Sequence, residues 1–252
     1  MPSPCDFELV SAMATHVGAV RRHNEDSGLD RREIGLWAVA DGMGGHAAGE
    51  VASQLITDSL RAIAAPTNPS GFIAEVRTRL SDANLKLIEE AARRGTPVVG
   101  STVVVLLAQG GFYACLWAGD SRLYRLRNGE LVQLTRDHSQ VWEMVEAGVL
   151  DEAAAERHSA ANVITRAVGA QPVLVLDKVT DRLVPDDLFL LCTDGLSKMV
   201  PGTEIAEILR STPLRLVPQA LIESALSHGG HDNITVLAVH VGAALGEQDA
   251  KC

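Results

Sequence analysis

The sequence predicts an α+β sandwich, with antiparallel sheets inside and helices packed on their outer faces. Three observations lead there. Apolar, β-branched runs come in blocks joined by tight turns, stretches of helical periodicity separate the blocks, and no strand–helix–strand unit repeats along the 252 residues. Strands joined by hairpins pair antiparallel, whereas parallel strands need a long crossover.

The elements follow in order. Phe7 to Val20 reads as a strand, and Ile34 to Ala40 as a buried one ending at Asp41-Gly42. From Ala48 to Ala64 the residues Val51, Leu55, Ile56, Leu60 and Ile63 keep a helical period, and a second stripe runs through Ile73, Val76, Leu80, Leu87 and Ala91. That second helix spans Pro69 to Arg94 and stops at Gly95. Thr102–Ala108 with Phe112–Ala118, and Leu123–Arg127 with Glu130–Leu134, read as hairpins, the latter turning on Asn128-Gly129. Residues 137 to 170 are polar and helical without a strong core pattern. Val173–Val184 and Leu188–Thr193 read as a third strand pair, followed by helices over Thr203–Ser211 and Leu214–Ser227 and a last strand over Asn233–Val241. One domain over residues 1–245 is expected, with 137–170 as an inserted flap and 246–252 as a loose tail, matched by loose residues Met1 to Cys5.

Composition narrows the function. Hydrophobic residues at 46% and charged residues at 21% are globular values. Aromatics at 4% and a net charge of −10 argue against nucleic acid and anionic membrane as partners. Cys5, Cys115, Cys192 and Cys252 form no C-x-x-C pair, and two of them lie in apolar runs, the pattern of reduced thiols. With no signal-like segment at Met1 and no apolar run of membrane length, a soluble cytoplasmic protein is expected.

Chemistry concentrates on four aspartates. Asp41, Asp120 and Asp194 follow the most apolar strands and Asp232 opens the last one, each beside glycine or a small polar residue. One Asp-Gly after a strand is an ordinary turn. Four at the edge of a core would repel one another and lose hydration unless a cation sits among them, and oxygen ligands suit Mg²⁺ or Mn²⁺. A turn set and a metal cluster are both open on spacing alone. Asn24-Glu25-Asp26 is either a solvated loop or an extension of the carboxylate set, with Arg21 placed to fork onto phosphate. The glycine-rich Asp41–Glu50 stretch lacks P-loop and dinucleotide spacing, and its His46 is either a surface residue or a proton donor. Neither a G-x-S-x-G elbow nor an H-E-x-x-H motif is present.

These stretches together resemble the bacterial form of the metal-dependent PP2C (PPM) family of serine/threonine phosphatases. The carriers are Val17–Ser27, Val39–His46, Gly100-Ser-Thr102, Ala118–Arg122, Leu134–Ser139, Ile164–Gly169, Cys192–Leu196 and Asp232–Thr235, in the family's order. The resemblance implies a four-layer α-β-β-α sandwich and hydrolysis of phosphoserine or phosphothreonine by direct attack of a metal-bridging water. It implies that Asp41, Asp194 and Asp232 hold one ion, and that Asp41, Glu25 and the Gly42 carbonyl hold a second. Asp120 and Asp194 would hold a third, weaker one, all Mn²⁺ or Mg²⁺. Asp26 would orient water from behind the ligands, Arg21 would bind phosphate, and His46 is the candidate general acid, although Met43 stands where eukaryotic members carry histidine. The implied partners are phosphorylated proteins, including a serine/threonine kinase and its substrates, acted on by a monomer. The stand-alone, acidic form also resembles that of members associated with type VI secretion, which implies a role of that kind. The competing reading is a silent phosphoprotein-binding module, whose mark would be a lost metal carboxylate; a sensory domain of a larger protein is a third.

Overall fold

In the computed structural model, which describes residues 7–44, 48–151, 154, 158, 160 and 163–244, the apolar runs build two antiparallel sheets. The first has the order β1 (Phe7–His16), β11 (Ile234–Ala244), β10 (Leu188–Cys192), β7 (Arg122–Arg127), β8 (Glu130–Gln133). The second runs β2 (Asp26–Arg31), β3 (Leu36–Met43), β5 (Val103–Gln109), β6 (Phe112–Ala118), β9 (Asp177–Arg182), with the short β4 (Gly100–Ser101) also on β3.

Strand periodicity assigns the layers, because successive side chains point to opposite faces. Trp37 and Val39 of β3 face Leu123, Phe189, Leu191 and Leu237 of the other sheet, forming the core between the sheets. Ala38 and Ala40 face outward onto α1 (Ala48–Arg61) and α2 (Pro69–Arg94), where Ile56, Leu60, Val76 and Leu80 are fully buried. On the opposite side Leu190, Cys192, Val236 and Ala238 carry α4 (Asp194–Ser197), α5 (Gly202–Ser211) and α6 (Val217–Ser227). The four-layer α-β-β-α order expected from the sequence is therefore the order found. A fully buried leucine or phenylalanine contributes about 1.5–3 kcal/mol of transfer free energy, so three such layers supply most of the driving force for folding.

Local signals act as read. Asn68 caps α2 by accepting from Gly71 N–H at 2.7 Å, Pro69 opens it, and Gly95 ends it in the left-handed conformation at φ 67°. Asn128 and Gly129 both take positive φ, the requirement of the tight β7–β8 turn. Cys115 and Cys192 are buried free thiols, and burial pushes Cys192 up to about 12; Cys5 and Cys252 lie outside the described residues. Among the described residues no helix is long and apolar enough to cross a membrane.

One element was not read and one pairing is corrected. Asp26–Arg31, given no element from the sequence, is the edge strand β2; of its residues only Asp26 and Leu29 are buried, which leaves too little apolar periodicity to show. Val173–Val184 and Leu188–Thr193 do not pair. β9 lies at the edge of the second sheet beside β6, while β10 lies between β7 and β11 in the first. Burial decides this: β10 is apolar and enclosed, whereas β9 is polar and half-exposed, so the chain crosses between sheets. Smaller differences are that the segment read as Leu214–Ser227 begins with a 3-10 turn at Leu214–Leu216, and that Asp41 lies inside β3. Within 137–170 the described part holds α3 (Gln140–Glu146), and bridges Ser139–Ile164 and Ser101–Val168 fasten its two ends. The tail 246–252 and residues 1–5 lie outside the described residues.

Candidate active site

Strands β2 and β3 pair with Asp26 directly across from Asp41. The loop leading into β2 is shaped by Asn233, next to Asp232. Its side-chain carbonyl accepts from Glu25 N–H at 2.8 Å, and its amide donates to the carbonyls of Val17 and His23 at 2.8 and 2.9 Å. At Gly18, φ is +84° and a Cβ would stand 2.1 Å from the Asp232 carbonyl oxygen, so only glycine lets this loop lie against the start of β11. Gly42 plays the same part on the other side: a Cβ there would come within 1.9 Å of Gly49 O and 2.7 Å of Glu25 O, closing the gap between β3, α1 and the Glu25 loop.

The result is a cleft of about 470 Å³ whose lining includes Arg21, Glu25, Asp41, Gly42, Asp194 and Asp232. Residues spread over the whole chain thus converge, including three of the four strand-end aspartates, Asp41, Asp194 and Asp232. Arg21 Nη2 donates to Asp232 Oδ2 at 2.8 Å on the open rim. Asp26 is set behind the lining, where Thr193 Oγ1 donates to its Oδ2 at 2.8 Å and itself accepts from Thr235 N–H at 3.0 Å. Asp41 is positioned through its backbone: its N–H donates to Thr102 Oγ1 at 3.1 Å, and its carbonyl accepts from Thr102 N–H at 2.9 Å. Thr102 Oγ1 and Ser121 Oγ share a hydrogen bond of 2.7 Å, which links Asp41 to the turn carrying Asp120. Asp120 does not line the cleft and is almost sealed, meeting Lys198 Nζ through Oδ2 at 3.1 Å; the same ammonium lies 2.6 Å from Asp194 Oδ2. His46 lies outside the described residues; among the residues lining the cleft, His231 supplies an imidazole.

Burial and mutual repulsion dominate the electrostatics. Burial, with Asp194 and Asp232 nearby, raises Asp26 to about 7 despite hydrogen bonds from threonine. Burial and the neighbouring Asp26, Asp194, Asp120 and Asp232 hold Asp41 well above the carboxylate range. Asp120 is raised to about 6 by burial and Asp194, which together outweigh the pull of Lys198. Burial works against the Lys198 charge, yet Asp194 and Asp120 hold its pKa above the ordinary lysine value.

These residues fit hard divalent cations. Oδ1 of Asp26, Asp120 and Asp194 are all buried without a hydrogen-bond partner among the described residues. Buried carboxylate oxygens left without partners are an arrangement that positive charge relieves, and an all-oxygen donor set selects Mg²⁺ or Mn²⁺. Among the described residues no three of His, Cys, Asp and Glu close on one point as they stand. Arg21 holds one oxygen of Asp232, and Lys198 holds one oxygen each of Asp120 and Asp194.

Sequence reasoning assigned no part to Thr193, Asn233, Thr102 or Lys198. Lys198 alone carried a local signal, standing four residues after Asp194 in a helical turn. Nearby, the motif residue Asp137 takes a bidentate grip from Arg122, Nε to Oδ1 at 2.9 Å and Nη2 to Oδ2 at 2.7 Å, and this buried pair anchors the start of the 137–170 segment.

Comparison with known proteins agrees with this architecture. The family model described as protein phosphatase 2C matches residues 19–225. The serine/threonine phosphatase stp of Listeria monocytogenes is 36% identical over 236 residues, covering 89% of this chain and 93% of its own. The structure of PppA, a key regulatory component of T6SS in Pseudomonas aeruginosa, superposes with a TM-score of 0.88 at 44% identity, covering 94% of this chain and 99% of that one. The catalytic domain of the phosphatase PstP in complex with two manganese ions gives a TM-score of 0.85 at 34% identity, covering 94% and 100%. The chain belongs to the protein phosphatase 2C family.

Proposed function

We propose that the protein is a metal-dependent protein serine/threonine phosphatase. One observation carries the reading: four carboxylates, from Glu25, Asp41, Asp194 and Asp232, line one cleft of about 470 Å³ with Arg21 on its rim. A phosphate dianion would be expelled from such a cleft unless cations already occupied it. Bound there, divalent ions supply charge to the phosphoryl oxygens and acidify water at neutral pH.

The chain's own groups divide the remaining work. Asp41, Asp194 and Asp232 would hold one ion, and Asp41, Glu25 and the Gly42 carbonyl would hold a second. Asp26, held by Thr193, accepts a hydrogen bond from water in the cleft and so orients it for in-line attack on phosphorus. Arg21 leaves Asp232 and forks onto two phosphoryl oxygens, offsetting the charge that builds there. The departing serine or threonine oxygen needs a proton; His46 is the sequence's candidate for its donor. A third ion would have to share Asp120 and Asp194 with the Lys198 ammonium. Residues 137–170 act as a flap on one catalytic domain.

Manganese is the preferred ion in this reading, with magnesium the alternative, and the protein works as a cytoplasmic monomer. Its substrates are phosphorylated proteins, including a serine/threonine kinase and that kinase's targets. The 44% identity to PppA favours a place in control of a type VI secretion system. The silent-binder alternative is disfavoured because none of the matched carboxylates is missing from the sequence. The test is release of phosphate from a phosphothreonine peptide and from p-nitrophenyl phosphate. Activity should appear with Mn²⁺, vanish on chelation and be lost in Asp194→Asn; undiminished turnover after complete metal removal would overturn the reading.

A further inference from the structure

Asp120 and Asp194 reach the same point from different elements, one from the turn after β6 and the other from the start of α4. Between them sits an ammonium. Lys198 Nζ lies 2.6 Å from Asp194 Oδ2 and 3.1 Å from Asp120 Oδ2, and the side chain is only 27% exposed. Each carboxylate gives one oxygen to Lys198, and the other oxygen of each is buried and unpartnered among the described residues.

The tether fixes this cation in place. Lys198 follows Asp194 by one helical turn, and its N–H donates to the Asp194 carbonyl at 2.9 Å, so the ammonium is held at the carboxylates by a short, folded connection. An intramolecular group of that kind competes at an effective concentration of millimolar or more, beyond what a weakly held free ion reaches. A divalent ion entering the same point would also meet the lysine charge at contact distance, an unfavourable encounter in a partly buried setting.

We propose that Lys198 is the resident cation of the Asp120–Asp194 pair and keeps a third divalent ion out of it. The proposal rests on the phosphatase reading, which makes Asp194 a ligand of a core ion. It assigns Asp120 a different part from the one expected: Asp120 and Lys198 together position Asp194, with Lys198 taking one oxygen and leaving the other for the metal cleft. Lys198 is thus a positioning residue.

The test is an ion count on metal-stripped protein, by calorimetric titration with Mn²⁺ and by the electron paramagnetic resonance signal of unbound Mn²⁺. The wild-type chain should take up two ions with no further uptake into the millimolar range. Lys198→Met should take up three, with the third lost again in Lys198→Met combined with Asp120→Asn, and Lys198→Arg should stay at two. Three ions in the wild-type chain would overturn this inference alone, as would an unchanged count in a Lys198→Met protein whose circular dichroism matches wild type. The wild-type count needs no variant, so a Lys198→Met chain that fails to fold leaves the proposal open to refutation. A wild-type chain that binds no ion would overturn the phosphatase reading and this inference with it.

Discussion

Thr193 Oγ1 donates to Asp26 Oδ2 at 2.8 Å and so ties the end of β10 in one sheet to the start of β2 in the other, behind the lining of the cleft. The same oxygen accepts from Thr235 N–H at 3.0 Å, which fixes the direction of its proton toward the carboxylate. Thr193→Val keeps the volume and removes that proton, stranding a buried carboxylate oxygen. A hydrogen bond to a charged group contributes about 1.5–3 kcal/mol, so denaturant unfolding should show a loss of that order, with turnover lowered alongside it. Thr193→Ser keeps the donor and should stay close to wild type in both measurements; equal losses for valine and serine would mean that the methyl packing, not the proton, matters.

Arg21 spends its hydrogen bond on Asp232 at the exposed rim, where an incoming phosphate can exchange for it. Arg21→Ala should raise KM for a phosphothreonine peptide by roughly tenfold or more and change kcat less, since the contact forms on binding. A KM within about twofold of wild type would remove Arg21 from the phosphate site.

The buried carboxyls set a pH dependence of stability. Folded Asp26 titrates at about 7 and Asp120 at about 6, both raised first by burial. Unfolded aspartate titrates near 3.9, so between about pH 4 and about pH 7 the folded chain holds more protons than the unfolded one. Stability of the metal-free protein from these groups is therefore full below that window and is lost as pH rises through it. Asp41, a ligand in this account, is likewise held protonated by burial and its carboxylate neighbours, and Mn²⁺ needs it ionised, so the ion's stabilising effect should grow as pH rises. Thermal melts in chelator and in Mn²⁺ at about pH 5 and about pH 8 check this: the ion-induced rise in Tm should be larger at the higher pH, and a larger rise at the lower pH would contradict the assignment.

Much of this was legible in the residues because the signals were local. α2 carries its own cap, proline and terminal glycine, and its boundaries match the sequence reading residue for residue. The aspartates stood out because each interrupts a strand apolar enough to be recognised. β2 escaped because an edge strand with two buried positions has no clear alternation. The false pairing of 173–184 with 188–193 came from assuming that neighbouring strands share a sheet, whereas burial sends them to different ones. Within the site, Thr193 meets a residue 167 positions away and Asn233 meets one 208 away, and such contacts have no local pattern. Lys198 was the exception: its spacing from Asp194 was visible, but the approach of Asp120 was not.

The central claim is that Glu25, Asp41, Asp194 and Asp232 hold the ions that act on phosphate. Anomalous diffraction from crystals grown with Mn²⁺ tests it most directly. Two peaks should lie in the cleft between these four side chains, with Asp41 touching both and Arg21 released from Asp232. A map with no anomalous peak there, or with its ions bound away from these carboxylates, would contradict it.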